Sequence, residues 1–239
     1  DAMIQPTEEK KQERCEMVRD VINDAIEIEP ESAMLYYNRG IMMAQCGATQ
    51  EEVLVDVDKA IDMYPNGYMA RRYRAQLNTE MGNLEQAIED DEIAQAIKPN
   101  NSGWVRLGNN YLSLGDEYQE DEDPNTSPEY QYSRAAEVLS IAAEEKPNDI
   151  TSNYLLAVAY DKAGNMEKAV ETYLTTSILL RQFIEEKPNN VEAHYMLGYC
   201  YERTGDIEKA TEEYFTVLEL DPNHQRARDS LERFGISAN

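Results

Sequence analysis

Few residues in this sequence are suited to chemistry. There are two histidines, His194 and His224, and three cysteines, Cys15, Cys46 and Cys200, against 47 carboxylates. His194 lies in an apolar, helix-like run and His224 follows Pro222. Neither has a serine or cysteine spaced to build a nucleophile and its base. No HExxH, GxSxG or phosphate-binding glycine loop occurs. Carboxylates alone do not make a general acid, which needs a shaped and partly desolvated pocket. The chain is therefore expected not to be an enzyme, with no catalytic residue and no cofactor. The cysteines are odd in number, far apart and outside any CxxC pairing, so free thiols inside helices are expected, with neither disulfide nor metal. One acidic stretch imitates a calcium loop, because Asp121, Asp123 and Asn125 alternate as an EF-hand's first ligands do. Thr126 then stands where the loop needs Gly, Tyr132 where it needs a bidentate Glu, and Pro124 and Pro128 stiffen the segment. No calcium site is expected.

The carboxylates say more as a field than as ligands. With 22 basic residues the net charge is −25, which opposes binding to a phosphate backbone or an anionic membrane surface. Nucleic acid is excluded as a partner, and no apolar run is long enough for membrane insertion. The chain starts at Asp1, which reads as the mark of a removed upstream segment and leaves a soluble cytoplasmic and an exported or periplasmic location both open. The charge does not imply disorder, since 41% of residues are hydrophobic and 16 tyrosines can cover a core.

Periodicity shows which elements must position these residues. Prolines end apolar runs at 30, 65, 99, 147, 188 and 222, at intervals of 35, 34, 48, 41 and 34 residues. Between successive prolines lies a glycine, at 47, 82, 115, 164 and 205. Each block reads as helix, turn at Gly, second helix and proline stop. A small residue recurs before each turn: Gly40, Ala75, Gly108, Ala157 and Gly198. Two antiparallel helices approach closely only where one side chain is nearly absent, so these mark the crossings.

Trp104, Leu107, Gly108 and Tyr111, then Leu156, Ala157, Tyr160, Ala169 and Tyr173, then Leu197, Gly198, Tyr201, Ala210 and Tyr214, follow a familiar order. They resemble the tetratricopeptide repeat (TPR) pattern. The resemblance covers about residues 33–223 and implies an all-α solenoid, a right-handed superhelix of five helix-turn-helix repeats. The whole chain, 1–239, is expected to form one such domain, with repeats at 33–66, 68–100, 101–149, 150–190 and 191–223. Residues 7–29 and 224–234 are expected as terminal capping helices. The first two repeats depart from the pattern with Arg39 and Arg74 where Leu is expected. Each has an aspartate at the same level of the following helix, which predicts structural pairs Arg39–Asp56 and Arg74–Asp90.

Two intervals exceed the repeat. The longest places an acidic insertion at 116–129, a solvated loop or an edge for a basic partner. The 41-residue interval adds seven residues to a second helix, about two turns, so that helix should lengthen by about 10 Å. Its apolar residues Ile178, Leu179, Leu180, Phe183 and Ile184 pack on adjacent repeats or offer a hydrophobic edge.

The resemblance further implies a protein-binding scaffold that takes a peptide or partner helix in a groove lined by the first helices. Carried over by position, the groove residues are Tyr37, Arg72, Gln76, Arg106, Asn109, Tyr154, Tyr195 and Tyr199. Arginine suits forked recognition of a carboxylate, and tyrosine offers rigid contact area. The lysine of the family's chaperone-binding clamp is missing from these places. The alternative reading is an assembly subunit, a homo-oligomer formed through the lengthened helix and the acidic insertion.

Overall fold

A computed structural model of the chain describes residues 8–118 and 127–237, and in these residues all regular structure is α-helical. The helices are α1 (Glu8–Ile28), α2 (Ala33–Gln45), α3 (Gln50–Met63), α4 (Tyr68–Met81), α5 (Leu84–Ile97) and α6 (Asn101–Glu117). They continue as α7 (Pro128–Glu145), α8 (Ile150–Lys162), α9 (Met166–Glu186), α10 (Val191–Thr204), α11 (Ile207–Leu220) and α12 (Gln225–Arg233).

Local chemistry sets most of the ends. Thr49 Oγ1 accepts from the Glu52 amide while Glu52 Oε2 accepts from the Thr49 amide at 2.9 Å, a capping box opening α3. Asp149, Asn165, Asn190 and Asp206 cap α8, α9, α10 and α11 in the simpler way. Gly82 and Gly205 close α4 and α10 at φ of 80° and 86°, a conformation that costs any side chain about 1 kcal/mol or more. Gly115 departs from the expected turn: it lies inside α6, where a Cβ would stand 2.5 Å from the Tyr132 ring. It is small so that α7 can approach, and α6 continues past it.

The chain divides into two compact units, Asp1–Gly103 and Trp104–Asn239. In the first, α1 packs on α2, α2 pairs with α3, α3 packs on α4, and α4 pairs with α5. Val53, Val57, Ala60, Ile61, Ala70 and Leu77 form its core. In the second, hairpins α8/α9 and α10/α11 stack in series, with α7 packed on α8 and α12 on α11. Two apolar clusters run through this unit, one around Tyr173 and Leu180, the other around Tyr214 and Leu231. The small-residue crossings are tight: at Gly108 a Cβ would lie 2.3 Å from Leu139, and at Gly198 2.8 Å from Tyr214. Each unit is thus a run of antiparallel hairpins of the all-α TPR-solenoid type.

One expectation is overturned. Cys15 and Cys46 form a disulfide, across 31 residues and a Cα–Cα distance of 5.9 Å, that ties α1 to the end of α2. Sequence spacing pointed to free thiols because pairing between helices depends on how they dock, which no CxxC pattern encodes. Cys200 alone stays a free, buried thiol.

Candidate functional site

The arginines that stand where the repeat pattern expects Leu hold helices together. In the first unit Arg39 donates from Nε and Nη2 to the two oxygens of Asp56, at 2.7 and 2.6 Å, and from Nη1 to Asn23 of α1 at 2.8 Å. Arg74 grips Asp90 through Nε at 2.6 Å and Nη2 at 3.0 Å, and reaches back to Asp58 of α3 at 2.7 Å. Arg71 adds a third donor to Asp90 at 2.7 Å. Arg39 and Arg74 therefore each join three consecutive helices, and the planar fork fits this role where lysine would not.

The second unit has an equivalent that the repeat pattern did not suggest. Asp161 of α8 accepts from Tyr173 of α9 at 3.2 Å and from Arg203 of α10 at 2.6 Å. Glu202 of α10 accepts from Tyr214 of α11 at 2.6 Å and from Arg233 of α12 at 2.9 Å. Burial pushes both tyrosine hydroxyls up. The spacing signal was present, an acid late in one first helix and an arginine late in the next, but only docking makes them neighbours.

Of the groove positions, the structure brings Tyr154 and Tyr199 together, with ring centroids 6.1 Å apart in an edge contact. Tyr195 is only 5% exposed. It lies under Arg226 of α12, whose guanidinium stands 4.1 Å from its ring centroid, and beside Tyr214 and His224. Arg226, absent from the sequence-based set, is thus the group this stack presents. Asn109 is exposed and Arg106 half-buried on α6. In the first unit Tyr37 meets Tyr73 edge-on at 6.2 Å, with Arg72 close enough to act on the Tyr37 hydroxyl. Gln76 donates to Glu80 at 3.0 Å. Arg72 belongs to the first unit and Arg106 to the second.

The lengthened helix has a consequence that sequence reasoning missed. α9 has 21 residues where α3, α5 and α11 have 14. Leu180 is buried, and Phe183 and Ile184 pack in the same cluster as α10, whereas Ile178 is half exposed. α8 has only 13 residues, so it stops short of the α9 extension. A cleft of about 450 Å³ opens between the first turn of α8, the last turns of α9 and the first turn of α10. Ile150, Leu180, Phe183 and Met196 give it an apolar floor, and Asp149 and Glu192 stand at its edge. Ile150 precedes Tyr154 by four residues and Met196 precedes Tyr199 by three, so cleft and tyrosine pair share one side of both helices. The first unit carries a smaller apolar pocket of about 170 Å³, lined by Met34, Tyr37, Tyr64, Tyr68 and Met69 among others.

The histidines and the free cysteine are occupied in other ways. The His194 ring nitrogens lie 2.6 Å from Glu213 and 2.9 Å from the Pro188 carbonyl. His224 caps α12 by accepting from the Ala227 amide. Burial pushes the Cys200 thiol up to about 12, away from the reactive thiolate. Among the described residues no cluster of His, Cys, Asp or Glu is placed to hold a metal ion. Asp121, Asp123 and Asn125 and most of the acidic insertion lie outside the described residues. No helix among the described residues is long and apolar enough to cross a membrane.

Comparison with known proteins agrees with the fold. Family models described as tetratricopeptide repeat match residues 131–176 and 179–212. No curated protein matches the sequence. The crystal structure of YrrB, a TPR protein with an unusual peptide-binding site, is similar over 88% of this chain and 97% of its own, at 20% identity and TM-score 0.64. MamA from Desulfovibrio magneticus RS-1 is similar over 81% of this chain and 97% of its own, at 22% identity and TM-score 0.60. A thermophilic TPR protein of Thermus thermophilus is similar over 85% of this chain and 100% of its own, at 18% identity and TM-score 0.56. At these identities the likeness is one of fold.

Proposed function

This chain belongs to the tetratricopeptide-repeat family, and from that premise we propose that it is a protein-binding scaffold rather than an enzyme. It takes a short segment of a partner protein along the first helices of its hairpins. The observation that carries this reading is the cleft beside the Tyr154–Tyr199 pair. Its volume of about 450 Å³ falls in the range of pockets that bury side chains of a ligand. The apolar floor of Ile150, Phe183 and Met196 suits an apolar anchor, and Asp149 favours a basic residue next to it, while Glu192 stands 3.8 Å from Arg226. Tyr199 adds rigid contact area, and Arg226 over Tyr195 offers a donor for a backbone carbonyl. In the first unit Tyr37, with Arg72 and Gln76, is a further contact surface, and Arg106 and Asn109 on α6 another.

The test is selection of a random peptide library on the immobilised chain. Binders should carry an apolar anchor with a neighbouring Lys or Arg, and Ile150→Glu and Met196→Glu should each weaken them about tenfold or more. Binders that ignore both substitutions would show that the cleft is not the site. Charge reversal at Arg72 or Arg106, read separately, tests whether either arginine adds an anion contact.

The Cys15–Cys46 bond favours an oxidising compartment, because cytosolic thiols are kept reduced. Thiol trapping on freshly lysed source cells tests this. Two free thiols at Cys15 and Cys46 would place the chain in a reducing compartment.

A further inference from the structure

Among the described residues the first helix, α1, exposes apolar side chains. Val18 lies twelve residues before Pro30 and is 44% exposed. Its counterparts Val53, Ala87, Ala135 and Ala210, twelve residues before their prolines, are at most 1% exposed, each under the first helix of its own hairpin. Val21, Met17 and Ile28 are 63%, 66% and 80% exposed on the same side of α1. The disulfide holds the opposite side of α1 against α2 through Cys15, so this apolar face cannot turn inward.

Its spacing is regular. Met17, Val21 and Ile28 fall four and seven residues apart and form a short apolar stripe, with Arg14 and Asp24 in line with it. Charge along α1 is uneven: Glu8, Glu9, Glu13 and Glu16 balance Lys10, Lys11, Arg14 and Arg19 in its first half, and from Asp20 to Glu31 every charge is negative. A parallel partner of the same sequence would set acid on acid. An antiparallel one that brings Met17 against the second copy's Val21 also brings Arg14 against its Asp24, twice by symmetry.

We propose that α1 is a self-association surface on which a second copy of this chain docks antiparallel through the Met17–Val21 seam, giving a two-fold dimer. This goes beyond peptide capture in the cleft and uses other residues. Because Glu13, Asp20 and Glu27 flank the seam on one edge and each chain carries −25, association strengthens as salt is added.

Sedimentation of the full chain tests this. A dimer is expected at about 100 µM in about 0.3 M salt, weaker at about 0.02 M. Val21→Glu should weaken it about tenfold or more, with helicity by circular dichroism unchanged because the side chain is exposed. Arg14→Asp alone should also weaken it, and Arg14→Asp with Asp24→Arg should restore it. A monomer throughout, a dimer indifferent to Val21→Glu, or no restoration by the charge swap would overturn the proposal.

Discussion

Asp90 shows how a single carboxylate can fix a hairpin. Its side chain is 1% exposed and accepts from both Arg71 and Arg74, whereas Asp58, the other acid on Arg74, is half exposed. Asp90→Ala leaves two guanidinium groups without their buried acceptor and should cost about 3–5 kcal/mol. Asp58→Ala should cost less than about 1 kcal/mol, because water screens that contact. Urea denaturation of the two variants checks the ordering. Cys200 acts at the same scale through its proton. Native Cys200 keeps its proton up to about pH 12, but the unfolded chain releases it near its ordinary value of about 9. A folded-state pKa raised above the unfolded one gives stability that is intact below about pH 9 and lost as pH rises toward 12. Tyr154, Tyr173 and Tyr214, raised by burial, act in the same direction from about pH 10. Urea midpoints measured from pH 8 upward should therefore fall above about pH 9, and Cys200→Ala should flatten the first part of that fall.

Helices were readable where one chain segment sufficed to specify them. The Pro and Gly punctuation, the capping residues and the seven extra residues of α9 are local signals, and the helix ends follow them. Gly115 was misread because a glycine that ends a helix and one that admits a neighbour look alike in sequence; the Tyr132 ring makes the difference. The tie between α1 and α2 was unreadable for a similar reason. Closing 31 residues with a disulfide should stabilise α1 docking by about 3–4 kcal/mol through loss of unfolded-chain entropy. Reduction should then raise amide hydrogen exchange in α1 well above that in α3, and equal protection before and after reduction would count against a stabilising role. The cleft is also a product of unequal elements, because it opens where α8 stops short of the α9 extension. Removing residues 177–183 takes out about two turns and keeps the helix face within roughly 20°. That deletion should abolish peptide capture while leaving the α10/α11 hairpin protected from exchange.

At the scale of the whole molecule the net charge of −25 opposes the compact state, since acids outnumber bases by about two to one. Raising salt to about 0.3 M should stabilise the fold by about 1 kcal/mol, roughly 2–4 °C in melting temperature. A melting temperature indifferent to salt would mean that the surface acids are already compensated. The sequence by itself determined the all-α class, the hairpin period, the small-residue crossings and the acidic field, because each depends on residues within one repeat length or on simple sums. Tertiary structure alone decided that Cys15 meets Cys46, that Tyr195 lies beneath Arg226, that Asp161 and Glu202 link three helices each, and that Met17, Val21 and Ile28 of α1 are exposed. Those outcomes depend on the rotation and offset with which helices dock. Docking is fixed by the summed packing of many side chains, to which no single position in the sequence holds the key.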